Sequence, residues 1–219
     1  MINIAFPIWK PIDWTSFDVV KKVRSKMKPS KVGHAGTLDP FAEGVLVVCS
    51  GNKTKTINKY MALIKEYKFQ IILGVETDTM DPTGKIISQS TIPVLNKHTI
   101  MEVLNNFKGE ISQEPPMYSA LKFNGIPLYK LARKGIVVKR ERRLINIYKI
   151  KLNSFTNNSI DLTVQCGKGT YIRSLGVDIA KSLKTVGYVN KLVRTKIGDF
   201  DKNSCIKINE LSKWLSLEK

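Results

Sequence analysis

The stretch KVGHAGTLDPFAEG, residues 31–44, leads directly into VLVVC, residues 45–49, and the two halves have opposite character. The first is punctuated by Gly, Thr and Pro, the composition of a loop. The second is a short apolar run rich in β-branched residues, which reads as a buried strand. A loop pinned to a buried strand is well placed for chemistry, because the strand fixes it while its own surface stays open to a ligand. Asp39 stands in this loop between Leu38 and Pro40, with no neighbouring carboxylate closer than Glu43. A lone Asp before Pro is most often a turn or cap residue, so its role has to be decided by its surroundings.

Upstream, a short strand is predicted over residues 3–9, halted by Pro11. Ser16 reads as the N-cap of a helix over 17–27, with Phe17, Val20, Val23 and Met27 at helical spacing. Downstream, Tyr67, Phe69, Ile71, Leu73 and Val75 alternate with Lys68, Gln70, Ile72 and Gly74, the pattern of a strand with one buried face. Ile100, Val103, Leu104 and Phe107 predict a helix over 97–107, ended by Gly109. The tract 114–143 is irregular and basic, with Pro115, Pro116, Lys139, Arg140, Arg142 and Arg143, and reads as an insertion holding at most one short helix near 128–134. Ile160, Leu162, Val164 and Cys166 mark a second strand, and Ile172, Leu175, Ile179 and Leu183 a following helix. Ile208, Leu211, Trp214 and Leu215 predict a last helix that docks on the core. With no internal repeat and no Gly/Ser linker, one α+β domain is expected over 1–205, closed by a docking helix within 206–219.

Composition narrows the function classes. Hydrophobic residues make up 42% of the 219, charged residues 25%, and the mean hydropathy is −0.13, values of a globular chain rather than a disordered or membrane-embedded one. The formal net charge is +18, an excess that calls for a polyanionic partner, nucleic acid first. The plainer alternative is a lysine content inflated by genome composition. Three widely spaced cysteines and two histidines make neither a disulfide framework nor a zinc site, so a reducing compartment and no metal are expected. The N-terminal MINIAFPIWKP lacks the basic and apolar regions of a signal peptide, and no apolar run is long enough to span a bilayer, which predicts a cytoplasmic protein. CGKGTYIR, residues 166–173, lies at a strand-to-helix junction where backbone amides can hold phosphate. Leu162 occupies the first Gly position of a P-loop, and Ile172 breaks a GxGxxG fingerprint, so a nucleotide cofactor is not expected.

Six ordered blocks resemble the TruB family of bacterial tRNA pseudouridine synthases: KPIDWTSFDVV (10–20), KVGHAGTLDPFAEGVL (31–46), KEYKFQIILGVETDTMDPTG (65–84), QEPPMYSALKFNGIPLYKLARKG (113–135), CGKGTYIRSL (166–175) and LVRTKIGDF (192–200). The resemblance implies the pseudouridine synthase fold, a mixed, largely antiparallel central sheet flanked by helices, with 114–143 as a basic, thumb-like insertion that grips RNA. It implies an isomerase that flips out uridine 55 of the tRNA T loop, with Asp39 as nucleophile and neither cofactor nor metal. Arg173 would supply the cation for that carboxylate, and an arginine suits the task because it stays charged and pairs bidentately. Tyr67 would stack on the target base or relay a proton, which a core position filled by Phe would not need. Tyr171 and Leu192 correspond to further contacts around the flipped uridine, and His34 to an RNA-binding histidine near the nucleophile. A monomer acting on the T arm of tRNA is expected. The alternative is a non-catalytic tRNA-binding or RNA-chaperone protein that keeps the fold.

Three departures stand out. Asp13 occupies a position where the family block usually has Gly, and Val193 interrupts a common Leu-Arg-Arg run, leaving Arg194 alone; both are expected to weaken local RNA contacts. After Phe200 only residues 201–219 follow, too few for the family's RNA-binding C-terminal domain of the PUA type. The paired acids Asp78 and Asp81 in TDTMDPTG read as a structured turn.

Overall fold

The computed structural model describes residues 3–27 and 31–217. In chain order the first half holds β1 (Ala5–Lys10), α1 (Ser16–Lys26), β2 (Val32–His34), β3 (Glu43–Ser50), α2 (Ile57–Ala62), β4 (Lys65–Leu73), β5 (Val75–Thr77), β6 (Ile86–Gln89) and α3 (Lys97–Asn105). The second half holds β7 (Gly109–Gln113), β8 (Lys122–Phe123), β9 (Ile126–Pro127), α4 (Leu128–Ala132), β10 (Arg143–Phe155), β11 (Ser159–Cys166), α5 (Ile172–Ser182), β12 (Gly187–Ile197), β13 (Phe200–Asp201), β14 (Ile206–Lys207) and α6 (Leu211–Leu217). The chain packs as two compact units, residues 1–68 with 191–219, and residues 69–190.

In the first unit the strand order is β14-β1-β3-β12, with β2 on β3 and β13 on β12. β1 runs antiparallel to β3, while β12 is parallel to it, pairing Val193 with Glu43 and Arg194 with Gly44. The apolar run of β3 is buried on both faces. Leu46 and Val48 pack with Phe6, Ile8 and Val19, Val20 and Val23 of α1, whereas Val45, Val47 and Cys49 pack with Ala35 and Ile197. Strict alternation between two apolar clusters is why the run looks continuously hydrophobic in sequence. The predicted docking helix is α6, whose Leu211 and Leu215 join the first cluster, with the Trp214 ring 4.6 Å from Phe6.

The start of α1 differs from expectation. Thr15, not Ser16, is the N-cap: its hydroxyl accepts from the Asp18 amide at 3.0 Å, and the Asp18 carboxylate accepts from the Thr15 amide at 3.0 Å. This reciprocal capping box stabilises the helix by about 1 kcal/mol. It releases the Ser16 hydroxyl, which turns instead to Leu38: it accepts from the Leu38 amide at 2.9 Å and faces the Leu38 carbonyl at 3.2 Å.

In the second unit the order is β4-β11-β10-β7, all antiparallel along β11-β10-β7. Alternation along β4 holds as predicted, but the strand ends at Leu73, because Gly74 takes φ +85° and Val75 opens β5. The thirteen-residue β10 was not legible in sequence. Its ladder with β11 shifts register between Ile147 and Lys149 and again between Leu152 and Ser154, so its buried positions lose their period of two. Within 114–143 the expected short helix is α4, joined by the hairpin β8-β9. Asn124 and Gly125 turn that hairpin at φ +48° and +80°, so the Asn-Gly pair was a readable turn signal.

Candidate active site

The loop that carries Asp39 is held on both sides of that residue. Ser16 fixes Leu38, as described. The Pro40 carbonyl accepts from the Asp13 amide at 2.8 Å and from Lys10 Nζ at 3.3 Å. The Asp39 carbonyl accepts from the Ala42 amide at 3.2 Å, closing a turn. Asp39 itself is half-buried. A carboxylate whose flanking backbone is bound from three directions is preorganised, so ordering it for reaction costs little.

Two buried cations of the same unit serve this loop. Arg194, 1% exposed on β12, donates from Nε to the Val45 carbonyl at 2.7 Å, and from its two terminal nitrogens to Thr37 at 3.3 Å and Gly36 at 3.1 Å. It therefore clasps the loop at both ends. Lys10, with no exposed surface, donates to the carbonyls of Pro11 at 2.8 Å, Trp14 at 2.6 Å and Pro40. Burial pushes the Lys10 ammonium down to about 8, opposed by the negative charge of Asp39 and reinforced by Arg194.

Two of the three departures noted in the sequence take on a different meaning here. Asp13 adopts φ +65°, a left-handed conformation that glycine accepts freely and that Asp tolerates better than most residues. Its contribution is a backbone bond to Pro40. Arg194, which Val193 leaves alone in its block, is a buried clasp of the loop.

His34 lies on β2, not in a loop, opposite Val48 of β3. Its Nδ1 is buried without a hydrogen-bond partner among the described residues. Burial, with Arg194 second, lowers its basicity, so the ring is neutral at neutral pH and suits shape or hydrogen-bond contact rather than phosphate pairing. Tyr67 is buried on the β4 face that also carries Lys65, and Leu192 is buried on β12. These strands are cross-linked by Thr195, whose hydroxyl donates to the Glu66 carboxylate at 2.8 Å. Lys65 caps α2, donating to the Leu63 carbonyl at 2.6 Å and to Met61.

The second unit assembles Tyr171 and Arg173. Tyr171 is the N-cap of α5, and Arg173 follows in its first turn, 4% exposed. The guanidinium donates to the Thr79 carbonyl at 2.8 Å and the Tyr118 carbonyl at 2.7 Å, and stands 3.5 Å from the Asp81 carboxylate. Asp81 is in turn bound by the Thr79 hydroxyl at 2.6 Å and by Thr83 through its amide at 3.0 Å and hydroxyl at 2.6 Å. Reading TDTMDPTG as a structured turn therefore holds, yet the turn also brackets Arg173. Nothing local in sequence announces a contact across 92 positions. The same is true of Gln113, whose amide meets the Tyr171 backbone.

Comparison with known proteins gives the family and the fold. The profile of the TruB family pseudouridylate synthases (N-terminal domain) matches residues 24–172. A protein named tRNA pseudouridine synthase B from Clostridium perfringens (strain 13 / Type A) is 46% identical over all of this chain and 74% of its own length. One of the same name from Francisella tularensis subsp. tularensis is 44% identical over 99% of this chain and 72% of its own. Among solved structures, a chain of a Cbf5-Nop10-Gar1 complex superposes with a TM-score of 0.75 at 26% identity, covering 97% of this chain and 54% of that one. The α+β architecture, with its mixed and largely antiparallel central sheet, is thus that of the pseudouridine synthases, isomerases that make pseudouridine. Within that class, the chain belongs to the TruB family.

Proposed function

We propose that this protein converts the uridine at position 55 in the tRNA T loop to pseudouridine, with Asp39 as the nucleophile. The observation that carries the reading is the Asp39 loop, in which Ser16, Asp13, Lys10 and Arg194 bind the residues around one half-buried carboxylate. The reaction breaks the N1–C1′ bond, turns the uracil while it stays bound, and joins C5 to C1′; the C5 proton leaves and N1 gains one. No electrons are exchanged with a second substrate, so the side chains of this protein suffice. An ionised carboxylate attacks the ribose or the ring, or assists glycosidic cleavage. Arg173 is the cation of the reaction by its place in the GTYIR block, and Tyr67 stacks on the base or moves the proton.

The target uridine must leave a folded loop, at a cost of a few kcal/mol in stacking. His34, Tyr171 and Leu192 are the contacts that receive the deformed loop, and the basic tract 114–143 grips the T stem. The protein acts in the cytoplasm as a monomer and without a metal. The relatives named tRNA pseudouridine synthase B support the tRNA substrate, and the presence of Asp39, Tyr67 and Arg173 together weighs against a purely RNA-binding protein.

The test is Asp39→Asn assayed on a T-arm stem-loop. The amide keeps the shape and loses the anion, so the variant folds, binds RNA within about threefold of the parent and makes no pseudouridine by chemical labelling. Turnover well above background would refute the assignment.

A further inference from the structure

Gln113 closes β7 with 1% of its surface exposed. Its side-chain amide pairs in both directions with the backbone of one residue: the Tyr171 amide donates to Oε1 at 2.8 Å, and Nε2 donates to the Tyr171 carbonyl at 3.1 Å. Tyr171 is the N-cap of α5, and its own side chain makes no capping hydrogen bond to the helix. Its amide is among those at a helix start that no intrahelical carbonyl reaches. A buried primary amide is costly unless donor and acceptor are both used, and an apolar residue would fill a core position at lower cost. The use of both groups on one backbone position therefore marks a geometric constraint rather than packing.

Further bonds follow the same path. The Ser174 hydroxyl donates to the Glu114 carbonyl at 2.9 Å, and Arg173 donates to the Tyr118 carbonyl. Glu114 also pairs with Arg140, near the far end of the insertion. Residues 113, 114 and 118 thus hold residues 171, 174 and 173, so the root of the basic insertion is fastened to the first turn of α5. We propose that Gln113 is a positioning residue for the isomerisation: it sets Tyr171 and, two residues on, Arg173, and makes their placement depend on the root of the RNA-gripping insertion. This rests on the roles given above to Tyr171 and Arg173.

Gln113→Met keeps the length and loses both bonds. Its single-turnover rate constant on a T-arm stem-loop falls tenfold or more while the dissociation constant stays within threefold, each measured well below the melting temperature of the variant. Should that variant not fold, Gln113→Asn has the same amide one methylene short and shows the same split. Adding Ser174→Ala costs less than its separate effect multiplied in, because both changes release the same two segments. A folded variant with a rate within twofold of the parent, or one whose binding weakens as much as its rate, overturns the proposal. Arg173→Lys run in parallel separates the two readings. If it is inactive while Gln113→Met is fully active, only the positioning role fails; if it matches the parent, the role of Arg173 fails and this proposal with it.

Discussion

Lys10 gives its three protons to three carbonyls, and one of these belongs to Pro40, the residue after Asp39. Its pKa, pushed by burial from 10.5 to about 8, gives opposite signs for stability and activity. Between pH 8 and 10.5 the unfolded chain binds the proton that the folded chain has lost, so the Lys10 contribution to stability rises with pH across that window. The neutral amine has only two N–H groups for three acceptors, so the loop loosens as the proton leaves. The single-turnover rate should accordingly fall as pH rises through about 8. Thermal melts and rate profiles of parent and Lys10→Met from pH 7 to 9.5 check both signs. The Met variant should lack the falling limb and be relatively more stable near pH 7, where a buried cation is no longer present.

At the level of elements, the Asp39 loop is shaped where β3 meets β12. Gly44 adopts φ +123°, and a Cβ there would lie 2.2 Å from the Arg194 carbonyl oxygen, so two backbones touch where a side chain would stand. Gly44→Ala combines a forbidden backbone angle with overlap against main chain, and should destabilise by about 3 kcal/mol or more. Chemical denaturation measures this directly; a loss below about 1 kcal/mol would mean the parallel pairing of Arg194 with Gly44 is not what shapes the loop. The same register places Arg194 to reach Gly36, Thr37 and Val45, so one pairing sets both the path of the loop and its clasp. Neither was readable from the sequence, because a guanidinium whose bonds among the described residues go to carbonyls leaves no complementary acid to notice.

Across the whole molecule the outstanding property is the net charge of +18. Affinity for a T-arm stem-loop should fall with salt at a log–log slope of about −0.7 to −0.9 per phosphate neutralised. Titrations between 50 and 300 mM KCl read the slope, and a flat response would exclude a charge-dominated RNA interface.

Short-range physics was legible in the sequence. Alternation along β4 and β11 and helical stripes in α3, α5 and α6 appear at their predicted places, because burial of one face imposes its period on consecutive residues. The six motif blocks pointed to the family for a related reason, since the residues of each block are contiguous. Tertiary structure alone decided what holds the candidate site residues. Lys10 and Arg194 meet the Asp39 loop from 29 positions before it and 155 after it, and Gln113 and Asp81 meet Tyr171 and Arg173 across 58 and 92. Apart from the Asp81–Arg173 ion pair, these bonds run to backbone carbonyls and amides, so residue type marks only one partner. Their specificity comes from the folded distance, which no local pattern encodes.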